Sequence, residues 1–215
     1  MKYIILGFFL SLAACAKNEG CQDLQSGAGP VRLVVVGDSQ SAGHATESSE
    51  DCGFSFANLL AQRKDMALWN YAVAGSEFTS ADQYGVLMTA PLRNTDRVVM
   101  LIGFNDMRNN NLDAAHLDDF EAKLRQALER VSPLVHRVVI GTCLTPLSYD
   151  LGSQAARDAY RARTNAVVTA LGALNVIVLN VGDSINQDPA YFVDDALHLN
   201  LRGQEVLAAD FEGSF

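Results

Sequence analysis

Five apolar runs, separated by longer stretches with helical or polar patterns, most constrain how this chain can fold. They cover residues 31–36, 66–74, 97–102, 137–143 and 176–181. Strands that are apolar along nearly their whole length are typical of parallel sheets buried on both faces. Parallel strands also need crossover connections, which helices between the runs would supply. The sequence therefore predicts an α/β fold with a five-stranded parallel sheet covered on both sides by helices.

Four helices are predicted between and after these runs, at residues 54–63, 117–131, 155–174 and 201–211. The second has apolar residues at spacings of three and four, which is the pattern of an amphipathic helix, and Pro133 should close it. One side of the third carries Tyr160, Thr164, Val167, Leu171 and Leu174.

The chain begins with the pattern of an export signal. Lys2 supplies a positive charge, and residues 3–12 form an apolar core too short to anchor stably in a bilayer. The core ends in Leu12-Ala13-Ala14-Cys15, which resembles the lipobox of bacterial lipoproteins, where the cysteine is acylated and becomes the first mature residue. We therefore expect residues 1–14 to be a signal peptide and Cys15 to carry the lipid. Ordinary secretory cleavage, with Cys15 incidental, is the alternative.

Both interpretations predict an exported protein. The first places it in a bacterial cell envelope, held on a membrane by the lipid on Cys15, and the second makes it a secreted protein. Residues 15–30, which include that cysteine, are polar, small and glycine-bearing, so they are predicted to be a flexible tether. Residues 31–215 are then left as a single domain, large enough to bury a core without disulfides or metals.

Three cysteines remain if Cys15 is lipidated. An exported compartment permits disulfides, so a Cys21–Cys52 pair is conceivable, and the odd count leaves at least one thiol unpaired. Cys143 lies in the fourth apolar run and is predicted to be a small buried hydrophobe. The sequence has no CxxC pair and no HExxH motif, so no metal site is predicted.

The charge of the chain is acidic, with 16 Lys and Arg residues against 25 Asp and Glu residues and a formal net charge of −9. An acidic surface disfavours nucleic acid as a partner, and it also disfavours electrostatic binding to anionic lipid. Attachment to a membrane would therefore depend on the lipid. Composition predicts nothing about oligomeric state.

Residues able to carry chemistry follow the first and third apolar runs and stand near the end of the chain. Ser39 comes on a glycine turn after the first run, and Asn105 follows the third. Asp195 and His198 come later, three positions apart. Parallel α/β sheets collect functional groups at the carboxyl ends of their strands. We therefore expect these distant residues to meet in one pocket.

These residue types suit acyl transfer to serine. The Ser39 hydroxyl needs a base to take its proton as it attacks, and His198 could serve. Asp195 would share a face with His198 in a helical turn, and could hold its ring. The backbone N–H groups of Ser39 and Gly75 and the side-chain amide of Asn105 are suitable donors for the oxyanion that develops.

Four blocks of this sequence resemble those of the SGNH, or GDSL, family of serine hydrolases. They are Gly37-Asp38-Ser39, the segment from Asn70 to Gly75, Gly103-Phe104-Asn105-Asp106 and Asp195-Ala196-Leu197-His198. They occur in the family's order over essentially the whole domain. The resemblance implies a flavodoxin-like three-layer α/β/α sandwich with an open site and no cofactor. Gln40 and Asn200 depart from it, because many members have an aliphatic residue and a proline there.

A second Gly-Asp-Ser, ending in Ser184, also follows an apolar run. It is not the predicted nucleophile, because Asp195 and His198 follow it closely and the glycine and asparagine blocks would precede it. Each residue also has a structural interpretation. Ser39 could be only a helix cap, Asn105 a turn residue, and the Asp195–His198 pair a surface contact.

The blocks together predict a serine-dependent carboxylic ester hydrolase that works through an acyl-enzyme and removes a small acyl group, such as acetyl, from a carbohydrate or similar ester. One alternative is a lysophospholipase or thioesterase that acts on lipid acyl groups. Another is an envelope protein that keeps the fold and binds a glycan without catalysis. A classical α/β-hydrolase is disfavoured, because neither serine lies in a Gly-x-Ser-x-Gly elbow.

Overall fold

A computed structural model describes residues 29–43, 55–142, 144, 154–181, 185 and 188–215. Outside the described residues lie the predicted signal peptide 1–14, the tether up to residue 28, all four cysteines (Cys15, Cys21, Cys52 and Cys143), and Ser184. Within the described ranges, no helix is long and apolar enough to span a membrane.

The sheet has five strands, and every neighbouring pair is parallel. The strands are β1 (Arg32–Gly37), β2 (Ala67–Asn70), β3 (Arg97–Leu101), β4 (Arg137–Gly141) and β5 (Val176–Leu179). Their spatial order is β2-β1-β3-β4-β5, which is the flavodoxin-like order. The prediction of a five-stranded parallel sheet is confirmed.

Seven α-helices accompany these strands in the described part of the chain. They are α1 (Ser39–Ala42), α2 (Phe56–Arg63), α3 (Val86–Thr89), α4 (Phe104–Asn110), α5 (Ala114–Val131), α6 (Gln154–Leu171) and α7 (Leu201–Glu212). A π-helix spans Ala81–Gly85, and 3-10 helices span Ser132–Leu134 and Pro189–Tyr191. Sequence periodicity missed α3, α4 and the π-helix, because one or two turns are too short to show a helical repeat.

Two hydrophobic cores lie on opposite faces of the sheet, because successive strand residues point to opposite sides. On one face, Val34 and Val36 of β1 belong to the core that contains the buried residues of α5 and α6. On the other face, Leu33 and Val35 belong to the core that contains those of α2 and α7. The molecule is therefore an α/β/α sandwich of three layers, as expected.

Two predicted elements extend three or more residues too far. The second strand ends at Asn70 rather than at residue 74, and the Asn70 side chain accepts a hydrogen bond from Ala72 N–H at 3.0 Å, which turns the chain. The helix α6 ends at Leu171 because Gly172 takes a left-handed φ of 60°. Leu174, which the pattern puts on the apolar side of that helix, is instead fully exposed, at 101%.

The order of the strands creates a crevice at their carboxyl ends. The chain proceeds to opposite edges of the sheet from β1 and from β3, so the loops that follow these two neighbouring strands diverge. Ser39 follows β1 and Asn105 follows β3. The fold therefore brings the first and third sequence blocks to one point.

Candidate active site

Ser39 is the first residue of α1, and the residue before it shapes the turn. Asp38 is the N-cap, with extended backbone, and its carboxylate accepts a hydrogen bond from Gln40 N–H at 3.0 Å. The cap is thus supplied by Asp38 and not by the Ser39 hydroxyl. That hydroxyl is directed to another part of the chain.

The Ser39 hydroxyl meets the ring of His198. Ser39 Oγ lies 2.9 Å from His198 Nε2, and His198 Nδ1 lies 2.5 Å from Asp195 Oδ2. An ionised carboxylate can only accept a hydrogen bond, so Nδ1 carries the ring hydrogen and donates it to Asp195. Nε2 is then able to accept the hydroxyl hydrogen of Ser39. The three side chains form one continuous chain of hydrogen bonds.

The Asp195–His198 pair does not lie in a helical turn, as the spacing had suggested, nor at the end of a strand. It lies in the connection between β5 and α7, where Ala196 has a left-handed φ of 56°. Asp195 Oδ1 accepts hydrogen bonds from the N–H groups of Leu197 and His198, each at 2.8 Å. One carboxylate therefore shapes the turn with one oxygen and holds the imidazole with the other.

The turn also sets the charge state of Asp195. Partial burial tends to raise the pKa of its carboxyl, but the hydrogen bond to the His198 ring and those from the backbone outweigh burial. The net result is a pKa below the ordinary value. Asp195 is therefore ionised at neutral pH.

Asn200, one of the two departures from the family pattern, follows this turn. Asn200 is the N-cap of α7, and its side chain accepts from Gly203 N–H at 3.1 Å and donates to Ala190 C=O at 2.9 Å. An asparagine here begins the helix directly after the His198 turn and ties it to the preceding 3-10 helix.

The three predicted oxyanion donors lie in three different segments of the chain. Gly75 is exposed and has a left-handed φ of 77°. Neither its backbone N–H nor that of Ser39 donates to another described residue. The Asn105 side chain is buried, and its amide donates to Ser76 C=O at 3.0 Å and approaches Asp38 Oδ2 at 3.5 Å. The second of these contacts is long for a hydrogen bond.

Two further residues hold the Gly75 turn, and sequence reasoning missed both of them. Gln83, in the π-helix, is 1% exposed and its amide donates to Ser76 C=O at 3.0 Å and to Ser76 Oγ at 2.8 Å. Ser76 Oγ in turn donates to Val73 C=O at 2.7 Å. A glutamine in a polar helical stretch gives no sequence signal for such a role.

The Asn70 side chain joins two backbone segments of the site. Its side-chain amide donates to Ser41 C=O at 2.9 Å, and its carbonyl accepts from Ala72 N–H. The end of β2 is thereby tied to α1, the helix that carries Ser39.

The carboxyl of Asp38 is 3% exposed at the centre of the site. Burial raises its pKa to about 6, although the hydrogen bond from Gln40 N–H and the charge of His198 act in the opposite direction. Asp38 therefore changes its charge in the mildly acidic range.

Glu77, Asp106 and His116 place potential metal-ligand atoms within 4.8 Å of one another. The Asp106 carboxylate already accepts from Phe78 N–H at 2.8 Å and from Thr79 N–H at 3.3 Å, and it contacts His116 Nε2 at 3.2 Å. These bonds fasten the loop after Gly75 to α4. Its oxygens are committed to protein donors, so we interpret the group as structural.

A flavodoxin-like sandwich that brings this serine, histidine and carboxylate together beside the carboxyl ends of its strands has the architecture of an ester-hydrolysing enzyme. The sequence model of the GDSL-like Lipase/Acylhydrolase family matches residues 35–206. The chain belongs to that family, and it is an ester hydrolase of the GDSL type. The resemblance identified from the four blocks is confirmed.

Solved structures support the fold. An α/β hydrolase from the metagenome of Lake Arreo, Spain, is 22% identical, with 88% of this chain and 97% of that one covered and a TM-score of 0.62. An acetylxylan esterase from Geobacillus stearothermophilus is 20% identical, with 89% and 96% covered and a TM-score of 0.62. A lipase/acylhydrolase from Enterococcus faecalis is 19% identical, with 85% and 95% covered and a TM-score of 0.63. A search of curated proteins found no match.

Proposed function

We propose that this protein is a serine-dependent carboxylic ester hydrolase that works through an acyl-enzyme, with Ser39, His198 and Asp195 as its catalytic residues. The observation that carries the proposal is the continuous contact from Ser39 Oγ through the His198 ring to Asp195, at 2.9 Å and 2.5 Å. It supplies a nucleophile, a base and a group that orients the base, each within hydrogen-bonding reach of the next.

The chemistry follows from the donor and acceptor states of these groups. Ser39 Oγ attacks the ester carbonyl while its proton passes to His198 Nε2, and the imidazolium is stabilised by the Asp195 carboxylate. When the tetrahedral intermediate collapses, the C–O bond to the alcohol breaks and His198 gives its proton to the leaving oxygen. Water then attacks the Ser39 ester with the same histidine as base, and releases the carboxylic acid.

The oxyanion of each tetrahedral intermediate needs donors that are already in position. We assign this role to the backbone N–H groups of Ser39 and Gly75 and to the Asn105 side-chain amide. Both backbone groups lack a partner among the described residues, and one Asn105 contact is long, at 3.5 Å. Donors of this kind gain a full hydrogen bond as negative charge develops, so they favour the transition state over the substrate.

We further propose that the acyl group removed is small, such as acetyl, and that the alcohol is a carbohydrate. Beside the site lies a pocket lined by Asp38, Gln40, Leu101, Ile102, Phe104, Leu144 and Leu197. Most of these residues are apolar, as an acyl pocket requires. The acetylxylan esterase among the solved structures acts on an acetylated carbohydrate, and it supports this choice of substrate.

One alternative is the hydrolysis of longer acyl chains from lysophospholipids or thioesters, for which a cavity of about 10 Å³ is small. Acetate and octanoate esters of the same chromogenic alcohol separate the two substrates, because only the acyl chain differs. A kcat/KM that is higher for the acetate supports the small-acyl proposal, and a higher value for the octanoate supports the lipid substrate.

Labelling by a fluorophosphonate tests the nucleophile directly. The folded wild-type domain should form an adduct on Ser39, and Ser39→Ala should form none while its kcat falls by roughly 10³-fold or more. Circular dichroism of the variant should be unchanged. Full activity in Ser39→Ala would remove the assignment, and a folded wild type without adduct would favour a glycan-binding protein.

We also propose that the mature protein is attached to a bacterial envelope membrane through a lipid on Cys15. The support is the sequence Leu12-Ala13-Ala14-Cys15 at the end of the apolar core. Metabolic labelling with a fatty acid, followed by membrane fractionation, should show lipid on the wild type and none on Cys15→Ala. Equal labelling of both proteins would contradict the anchor.

A further inference from the structure

We propose that Gln40 is a positioning residue that holds His198 within reach of Ser39, an inference that rests on the proposed Ser39–His198 chemistry. Gln40 follows Ser39 directly in α1 and is 4% exposed. Its side-chain amide donates to Leu197 C=O at 2.8 Å and its carbonyl accepts from Leu199 N–H at 3.2 Å. The two bonded residues are the neighbours of His198 on either side.

The backbone of the His198 turn shows why this link is needed. Asp195 accepts from the N–H groups of Leu197 and His198, and His198 C=O accepts from Val193 N–H at 3.0 Å. All of these bonds are local to the turn, so none of them fixes its distance from α1. The Gln40 side chain contacts the turn from the segment that carries the nucleophile, and thereby sets the separation of the reacting groups.

Gln40 is itself held firmly. Its N–H donates to Asp38, and its C=O accepts from the Gln204 side chain at 3.3 Å. Gln204, on α7, is 0% exposed and its side-chain carbonyl accepts from Phe56 N–H at 2.8 Å, at the start of α2. The contact from Gln204 is long for a hydrogen bond, so the position of Gln40 is set chiefly by α1 and by the bond from its own N–H to Asp38.

Loss of the Gln40 amide would leave the Leu197 carbonyl and the Leu199 N–H without a partner among the described residues. Leu199 is 0% exposed, so its backbone N–H would have to move to find water. His198 is the residue between these two groups in the chain, so its ring would move with them. A displacement of about 1 Å between a nucleophile and its base can cost on the order of 100-fold in rate.

The test is Gln40→Met, which keeps the length of the side chain and removes both hydrogen bonds. We expect kcat to fall about 10- to 100-fold with KM within about twofold. The loss should be the same for acetate and octanoate esters of one alcohol. By proton NMR, the downfield ring N–H resonance of His198 on Asp195, identified by its absence in His198→Ala, should broaden or disappear.

The matched control is Gln204→Met, because Gln204 is also a buried glutamine but does not contact the His198 turn. We expect the urea midpoint of unfolding to fall by a similar amount in the two variants. Gln204→Met should keep kcat within about threefold of the wild type and should keep the His198 resonance. If Gln40→Met does not fold, Gln40→Glu replaces it. Glutamate keeps the size of the side chain and the acceptor for Leu199 N–H but loses the donor to Leu197 C=O. It should lower kcat and weaken the His198 resonance, as Gln40→Met should.

Several results would overturn the inference. One is a folded Gln40→Met or Gln40→Glu variant with wild-type kcat and an unchanged His198 resonance. Another is a loss that depends on acyl length, which would make Gln40 a wall of the acyl pocket instead. A third is an equal fall of kcat in Gln204→Met. The proposed function fails separately, through an active Ser39→Ala variant, so the two failures are distinguishable.

Discussion

His198 Nε2 lies 2.9 Å from Ser39 Oγ, although 159 positions separate the two residues in the chain. The contact joins Ser39, shortly after strand β1, to a turn that precedes the last helix, α7. No local feature of either segment enforces this distance. Hydrogen bonds join the two segments, from the Gln40 side chain of α1 to the His198 turn and from the Gln204 side chain of α7 to the Gln40 carbonyl.

The carboxylate of Asp195 is expected to be necessary for the correct tautomer of His198. In Asp195→Asn, the new amide can donate to Nδ1, so the ring hydrogen would move to Nε2 and the ring could no longer accept from Ser39. We expect kcat to fall on the order of 10³-fold with little change in KM. Steady-state kinetics measure both constants. The control is Asp194→Asn, a change at an exposed neighbouring residue that should keep full activity. A wild-type kcat for Asp195→Asn would refute this role.

Removal of the Asn105 amide should weaken the stabilisation of the oxyanion. We expect Asn105→Ala to reduce kcat by about 10²-fold, because one preorganised donor is lost from the transition state. The control is Asn109→Ala on the same helix, whose exposed side chain donates to Glu77 Oε1 at 2.7 Å and should leave kcat unchanged. Equal rates for both variants would place Asn105 outside the oxyanion hole, and urea unfolding reports any loss of stability separately.

Gly75 and Gly172 provide a matched pair for separating backbone strain from catalysis. Both have a left-handed φ, of 77° and 60°, and a Cβ on either would meet no atom within 4 Å. Alanine at each position should therefore cost a similar free energy of unfolding, about 1 to 2 kcal/mol. Only Gly75→Ala should also lower kcat, by about 10-fold, because the strained turn would reorient its N–H. The prediction is wrong if Gly172→Ala loses as much activity.

The buried carboxyl of Asp38 should make stability depend on pH in the mildly acidic range. Burial raises its pKa to about 6 in the folded protein, against about 3.9 when unfolded. The folded state thus binds the proton more tightly, so this contribution to stability is complete below about pH 4 and is lost as pH rises through 6.

Asp38→Asn isolates this contribution, because asparagine can still accept from Gln40 N–H but does not titrate. The free energy of unfolding of the wild type minus that of the variant should decrease by about 1.4 kcal/mol per pH unit between pH 4 and 6. Urea unfolding at pH 4, 5, 6 and 7 measures it. A difference that is constant with pH would show that Asp38 keeps an ordinary pKa.

Much of the fold could be predicted from local pattern. The five strands are apolar along their length and the long helices α5 and α6 have clear apolar faces, so the element types do not depend on knowing their partners. Their ends were less predictable. The left-handed Gly172 ends α6 before Leu174, and Asn70 ends β2, and both effects depend on backbone geometry that periodicity does not encode.

The sequence by itself determined the architecture and the chemical groups, because burial of apolar runs and the identity of serine, histidine, carboxylate and amide side chains are properties of the residues. Only the tertiary structure decided how those groups are held. The Asp195 turn with its left-handed Ala196, the Gln83 support of the Gly75 turn and the Gln40 contact with the His198 turn all rest on hydrogen bonds between side chains and backbone groups. A glutamine has no periodic signature, and its partner is set by which segments the sheet brings together.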